Sequence, residues 1–345
     1  MVKIFSALLC VLLIMLSATS FGNGNSKEVK AAKIIKNANK VEEAFTSRGG
    51  MEGWTRVSFI IDKDGTTKDI VVFDYSGKDR YVKKVTKYIR NLQYSPALVN
   101  NKPVASAQTL FVKHTYSEAG HSEGSVTPAF AKEYQATIDA LSSPTADMLS
   151  IKKSIDDLVE DHTKNLNEHA LAAWLKSIYY YKNEEFLEYM RQSHITVDLY
   201  EHLPIAILAK STVNLFQSQL YFGNFNGAAE TLSRMGSVNG LNLSEETYQQ
   251  FADALNAAKA TESANVTKGQ LSSLGAWSQF YEFSTFKVEV SQGNVDSVEL
   301  RCNDYQQKYV EGWENKIEFP AHTSDCILLI RGDAGSTFDI LEITS

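Results

Sequence analysis

The stretch that decides the fold runs from Glu52 to Val104: EGWTRVSFIIDKDGTTKDIVVFDYSGKDRYVKKVTKYIRNLQYSPALVNNKPV. Val57, Phe59 and Ile61 alternate with Arg56, Ser58 and Ile60, the period-two pattern of a half-buried strand. Asp62-Lys63-Asp64-Gly65 follows, a tight-turn signal in which Gly65 can take a positive φ without a Cβ clash. Ile70 and Val72 alternate again, predicting a second, antiparallel strand. From Asp79 to Leu92 the apolar residues Tyr81, Val82, Val85, Tyr88, Ile89 and Leu92 recur at helical spacing, with Lys83, Lys84, Lys87 and Arg90 between them. Tyr94-Ser95-Pro96-Ala97 ends that helix, because the residue before a proline is pushed out of the α region. Ala107 to Tyr116 supplies a third strand, so the stretch reads as one compact βαβ-type unit.

Glu52-Gly53, the alternating strand, Asp64-Gly65, the amphipathic helix, and Tyr94-Ser95-Pro96-Ala97 followed closely by Lys102-Pro103-Val104 together resemble the C-terminal domain of TonB-family proteins. An unrelated small α+β domain with a chance Tyr-x-Pro is the alternative. Two positions depart from the family pattern. Leu92 stands where members often carry an aromatic residue. Asn101 stands where many have glycine, although asparagine tolerates the left-handed conformation better than most residues. The resemblance implies an interaction module. An extended peptide from an outer-membrane receptor would add to the edge strand Leu110, Phe111, Val112, Lys113, His114, Thr115 and Tyr116, with Tyr94 and Pro96 shaping the adjacent surface. It also implies transport of iron chelates or cobalamin across the outer membrane, and a periplasmic location.

The 345 residues are too many for one core, and their net charge of -7 leaves no whole-protein footprint for a nucleic-acid partner. Residues 1–20 read as a targeting segment: Lys3 as the basic region, Ala7 to Leu16 as the apolar run, Ala18-Thr19-Ser20 as small residues for cleavage. The run falls short of the ~20 residues that span a bilayer comfortably. Secretion is the first expectation and an uncleaved signal anchor the second; only the second brings membrane contact. Ser26 to Phe45 reads as a helix, from Val29, Ala32, Ile35, Ala38, Val41 and Phe45. No proline precedes Pro96, so residues 21–51 lack the stiff proline-rich spacer with which energy-transducing members reach the outer membrane.

After the linker Ser117 to Thr127 the pattern turns helical as far as about residue 262. Pro128, Pro144 and Pro204 stand where helices are expected to start. Two segments look alike: Trp174, Leu175, Ile178, Tyr179 then Phe186, Leu187, Met190, and Leu215, Phe216, Leu220, Tyr221 then Ala228, Ala229, Leu232. This is the logic of stacked helical hairpins, similar to a degenerate tetratricopeptide pattern, with an irregular bundle as the alternative. From about Leu274 the period returns to two, through Phe286, Val288 and Val290, Val298 and Leu300, Ile317 and Phe319, Ile327 and Leu329, and Phe338, Ile340 and Leu341. Five or six strands of a sandwich-like domain are expected. Cys302 and Cys326 are the only cysteines after the targeting segment, and an oxidising periplasm would join them.

The fold class expected is therefore α+β and multidomain, with units at 26–117, 128–262 and 274–345. No phosphate loop, nucleophile elbow or zinc-protease helix is present in the sequence, and no catalytic residue, cofactor or metal is assigned. His162 with His169, and His194 with His202, lie two turns apart on expected helices, but solvated or capping roles are the commoner use of such residues. Tyr179, Tyr180 and Tyr181 read as core and groove lining. Two functions remain: a transducer-like interaction module for outer-membrane transport, and a periplasmic scaffold whose helical repeats hold a protein or peptide partner.

Overall fold

Two very short strands, β1 (Val29–Lys30) and β2 (Lys33–Lys36), precede the central unit. The chain is described by a computed structural model over residues 28–36, 45, 51–76, 78–115, 125–238, 240–241, 243–260, 266–280, 285–318 and 326–343. The targeting segment and Tyr116 lie outside these residues. Of the helix expected over Ser26 to Phe45, residues 28–36 are extended or coil instead, and Phe45 is helical. Val29–Lys30 pairs with Leu98–Val99, and Lys33–Lys36 pairs with Gln93–Ser95, both antiparallel. Backbone pairing with a distant segment has overridden an apolar spacing that fits a helix.

The alternating stretch becomes β3 (Gly53–Ile61) and β4 (Thr67–Tyr75), joined by the Asp62–Thr66 turn with Gly65 at φ 81°. Helix α1 (Asp79–Arg90) follows, then β5 (Gln93–Ser95), β6 (Ala97–Val99), β7 (Lys102–Val104) and β8 (Ser106–His114). Asn100 and Asn101 take φ 50° and 60° at the β6–β7 turn, so asparagine does serve there in place of glycine. The central sheet has the order β4-β3-β8, antiparallel throughout. Val57, Phe59 and Ile61 pack against Val85, Ile89 and Leu92 of the α1 side, with Tyr94 in the same core.

The helical part begins with α2 (Pro128–Ser142) and α3 (Met148–Asp157), the latter running into a π turn at Leu158–His162. Then come α4 (Leu166–Lys182), α5 (Phe186–Asp198), α6 (Ile205–Tyr221), α7 (Phe225–Ser237) and α8 (Glu245–Lys259). Helices α4 and α6 are both 17 residues long, and α5 and α7 both 13. With turns at 183–185 and 222–224 they form two matched hairpins, each packed on the next in chain order, as stacked repeats require. Local chemistry sets their starts. Thr127 caps α2, Asn165 and Glu168 form a capping box on α4, and the Asn224 side chain accepts from Gly227 N at α7. Pro128 opens α2 as expected and Pro204 immediately precedes α6, but Pro144 lies in the turn before α3, which Asp147 caps instead.

The last part comprises β9 (Val266–Gln270), β10 (Ala276–Phe280), β11 (Thr285–Gln292), β12 (Val295–Arg301), β13 (Gln306–Tyr309), β14 (Ile317–Glu318), β15 (Ile327–Gly332) and β16 (Thr337–Glu342). Two antiparallel sheets, β14-β11-β16-β9 and β10-β15-β12-β13, face each other across Phe286, Val288, Leu300, Leu328, Phe338 and Ile340. The sandwich is thus larger than five or six strands; β9, β10 and β13 carry too little apolar alternation to be read. Cys302 and Cys326 are joined, tying the end of β12 to the start of β15 and contributing about 3 kcal/mol by the loop-entropy model. Among the described residues no helix is long and apolar enough to cross a membrane.

Candidate functional site

A strand with one wet face should leave Arg56, Ser58 and Ile60 in solvent. Instead Ser58 and Ile60 are buried and Arg56 is nearly so, because the helical and sandwich parts close over the face of the sheet opposite α1. Trp54 packs with Leu166, Ala170, Ala173, Ile195 and Leu199, and Val71 and Phe73 pack with Ala276 and Leu329. Trp54 and Ile60, apolar residues on the face that the alternation assigns to solvent, are the signal for this, since strands covered on both faces carry apolar residues on both.

Ion pairs stitch the three parts together on that face. Arg56 pairs with Asp198 of α5, and Arg234 of α7 donates to the same carboxylate at 2.9 Å. His194 Nδ1 lies 2.9 Å from Arg56 Nη2 and 3.3 Å from Asp198. Burial alone would push the Asp198 carboxyl up, but Arg56, His194 and Arg234 outweigh it and hold the group well below the usual range. Arg191 joins Asp74 of β4 (3.1 Å) to Glu188 (3.0 Å). On the sandwich side the fully buried Arg301 bonds Glu299 (2.7 Å) and Asp69 (2.5 Å), and it also reaches Ser58 and the Asp69 carbonyl. Asp69 sits at φ 43° in an irregularity of the β3–β4 pairing. Glu299, whose burial would raise its pKa, is kept low by Arg301, Arg331 and Lys308.

Between these clusters lies a cavity of about 330 Å³, at the lower end of ligand-pocket volumes. Its floor is Arg56, Phe73, Asp74, Thr109 and Phe111 of the central sheet. Leu187, Met190, Arg191 and His194 of α5, with Glu230 and Arg234 of α7, line one side. Ala276 to Gln279 of β10 line the other.

The expected binding strand is β8, which is an edge of the central sheet. Ala107 N–H donates to Cys302 O (2.7 Å), and Thr115 N–H donates to Phe45 O (3.1 Å). Both amides therefore face away from β3, and by the two-residue period so do Thr109, Phe111 and Lys113. Among the described residues none of these three has a backbone partner on that side. The edge is closed at its two ends and open in the middle. Side chains alternate across it: Leu110 and Val112 join the α1-side core, while Phe111 stacks on Trp54 with ring centroids 5.4 Å apart. Lys113 pairs with Glu201 beyond α5.

The remaining expected residues serve other ends. Tyr94 is buried and its hydroxyl bonds Gln108 Oε1 at 2.9 Å, so it belongs to the core rather than to a surface; Pro96 is half-buried. His114 is buried between Tyr81 (stacked, 4.6 Å) and Phe45 (edge-on, 5.2 Å), bonds Thr55 Oγ1 (2.9 Å), and burial pushes its pKa down to about 4. His169 contacts the Glu52 carbonyl at 3.2 Å, and burial brings it to about 4 as well. His202 bonds Asn167. Of the paired histidines only His194 reaches the cavity. Of the three tyrosines Tyr179 is core and Tyr181 is largely exposed. The cavity residues were not legible as a set, because Arg56, Asp198, Arg234 and Trp277 are brought together only by the packing of three parts.

Residues 46–113 match the family model described as the Gram-negative bacterial TonB protein C-terminal. No curated protein matches the chain. Glycine at position 53, part of the resemblance, has a local reason: a Cβ there would come within 2.4 Å of the Tyr81 ring, whose hydroxyl bonds the Met51 and Glu52 carbonyls. The helical and sandwich parts lie outside the match.

Proposed function

We propose that this protein is a non-enzymatic periplasmic interaction module of the Gram-negative envelope. It takes an extended peptide along the open part of the β8 edge, between Thr109 and Lys113. The observation that carries this reading is the row of outward backbone groups at Thr109, Phe111 and Lys113, unpaired among the described residues and bounded by paired amides at Ala107 and Thr115. Main-chain pairing would supply affinity in this mode, and flanking side chains would supply choice. The family match supports a protein partner such as an outer-membrane receptor. The segment 26–117 presents the edge, and the segments 128–262 and 274–345 brace it.

Thr109→Pro in the full-length protein removes one outward donor and leaves the inward ladder intact, as proline on an edge strand can. With a receptor-derived extended peptide, the parent should bind and the variant should bind at least tenfold more weakly at an unchanged melting temperature. Equal binding by the two proteins would contradict the reading.

A second reading, a scaffold that holds a partner on its repeats, is favoured by one observation. Tyr181, Phe186 and Tyr221 are exposed at the turns of the two matched hairpins, with centroids 6.1 Å and 6.5 Å apart along the row. Tyr221→Ala would weaken partner capture if the repeats make the contact, and leave it unchanged if the β8 edge does.

A further inference from the structure

The cavity and the open edge share residues. Thr109 and Phe111 line the cavity, and they are also two of the three β8 residues whose backbone groups face outward. In an antiparallel pair, residues directly opposite each other project their side chains to the same face of the sheet. A strand added beside β8 would therefore extend the cavity floor by one strand. Its residues opposite Thr109 and Phe111 would point to the side on which the cavity lies.

The lining decides what those side chains are. Every ionic group named in it is already matched: Asp198 by Arg56 and Arg234, Arg191 by Asp74 and Glu188, and Glu230 by Arg234. An added charge would enter a half-enclosed space with no counter-ion left for it, which is costly. Phe111, Met190, Trp277 and Ile327 offer apolar and aromatic surface instead.

We infer that the cavity is the side-chain pocket of the β8 edge, receiving an uncharged apolar or aromatic residue of an extended peptide that pairs with Thr109 to Lys113. The inference rests on the edge-binding reading above and adds the partner's chemistry to it. The helical and sandwich parts then act as the upper jaw of the site rather than as separate binding modules.

The test uses the full-length protein and two blocked peptides, Thr-Thr-Val-Trp-Val-Thr-Thr and the same peptide with alanine for tryptophan. Affinity and amide-exchange protection over residues 108–113 are read for each. The expected result is protection by both peptides, with the tryptophan peptide binding at least tenfold tighter. Ser278→Trp, which fills the cavity from β10, should abolish that preference. Met190→Ala, an independent change from the α5 side, should reduce the preference severalfold. Equal affinity for the two peptides, with the edge protected in both, would overturn the pocket and leave the edge reading standing. Protection of the edge by neither peptide would overturn the edge reading as well.

Discussion

The two faces of the central sheet are held differently. The face toward α1 is apolar and local: Val57, Phe59 and Ile61 meet Val85, Ile89 and Leu92 within one short stretch of chain. The opposite face adds to the apolar contacts of Trp54, Val71 and Phe73 a set of ion pairs, Arg56–Asp198–Arg234, Arg191–Asp74 and Arg301–Glu299–Asp69, with partners far apart in sequence. Apolar burial is non-directional and would let the covering parts slide. Buried ion pairs are exacting, since a displaced charge is left without a partner. The first face therefore makes the domain fold, and the second fixes how the helical and sandwich parts sit on it.

The largest effect should come from the apolar face. Phe59→Ala removes a fully buried ring and should cost about 3–5 kcal/mol, read as a lower urea midpoint. Arg301→Met should cost roughly 3 kcal/mol, because Glu299 loses its best partner inside the protein. The double variant Arg301→Met with Glu299→Leu should recover most of that loss. If it recovers nothing, the ion-paired face depends on shape as much as on ionisation, and the contrast weakens.

Acid should act on buried histidines before it acts on the ion pairs. His114 and His169 have folded pKa values of about 4, below an unfolded value of about 6.5. The unfolded chain therefore binds more protons between those values, so stability is full above pH 6.5 and falls as pH drops toward 4. The loss from pH 7 to pH 5 should be on the order of 1–2 kcal/mol per histidine, and His114→Gln should remove its share in urea titrations at the two pH values. Asp198 and Glu299, held low by their cationic neighbours, act in a different window. Their stabilisation persists above about pH 4 and is lost below it, so these ion pairs should fail after the two histidines on acidification. The smallest effect expected is Asn165→Ala, about 1 kcal/mol from losing the α4 cap, seen as a modest drop in melting temperature.

The same contrast explains what could be read from sequence. The α1 side was legible because its residues are close in the chain and obey periods of two and 3.6: Val57, Phe59 and Ile61 on the strand, and Val85 and Ile89 on the helix. The matched helical hairpins were legible for the same reason. Val29–Lys30 and Lys33–Lys36 were not, because their strand state is imposed by Leu98–Val99 and Gln93–Ser95. Strands such as Gln306–Tyr309 carry polar residues with no alternation to detect. The edge at β8 could be named from the family resemblance, but its closed ends could not, since Cys302 and Phe45 close them from elsewhere in the chain. The cavity was hidden for the most general reason: each of its walls belongs to a different part.

Residue-resolved amide exchange along β8 in the full-length protein tests the central claim most directly. The account expects Thr109, Phe111 and Lys113 to exchange rapidly while Ala107, Leu110, Val112 and Thr115 are protected, and a bound extended peptide to slow the first three. Uniform protection of all these amides in the peptide-free protein would mean that the edge is already paired, and would contradict it.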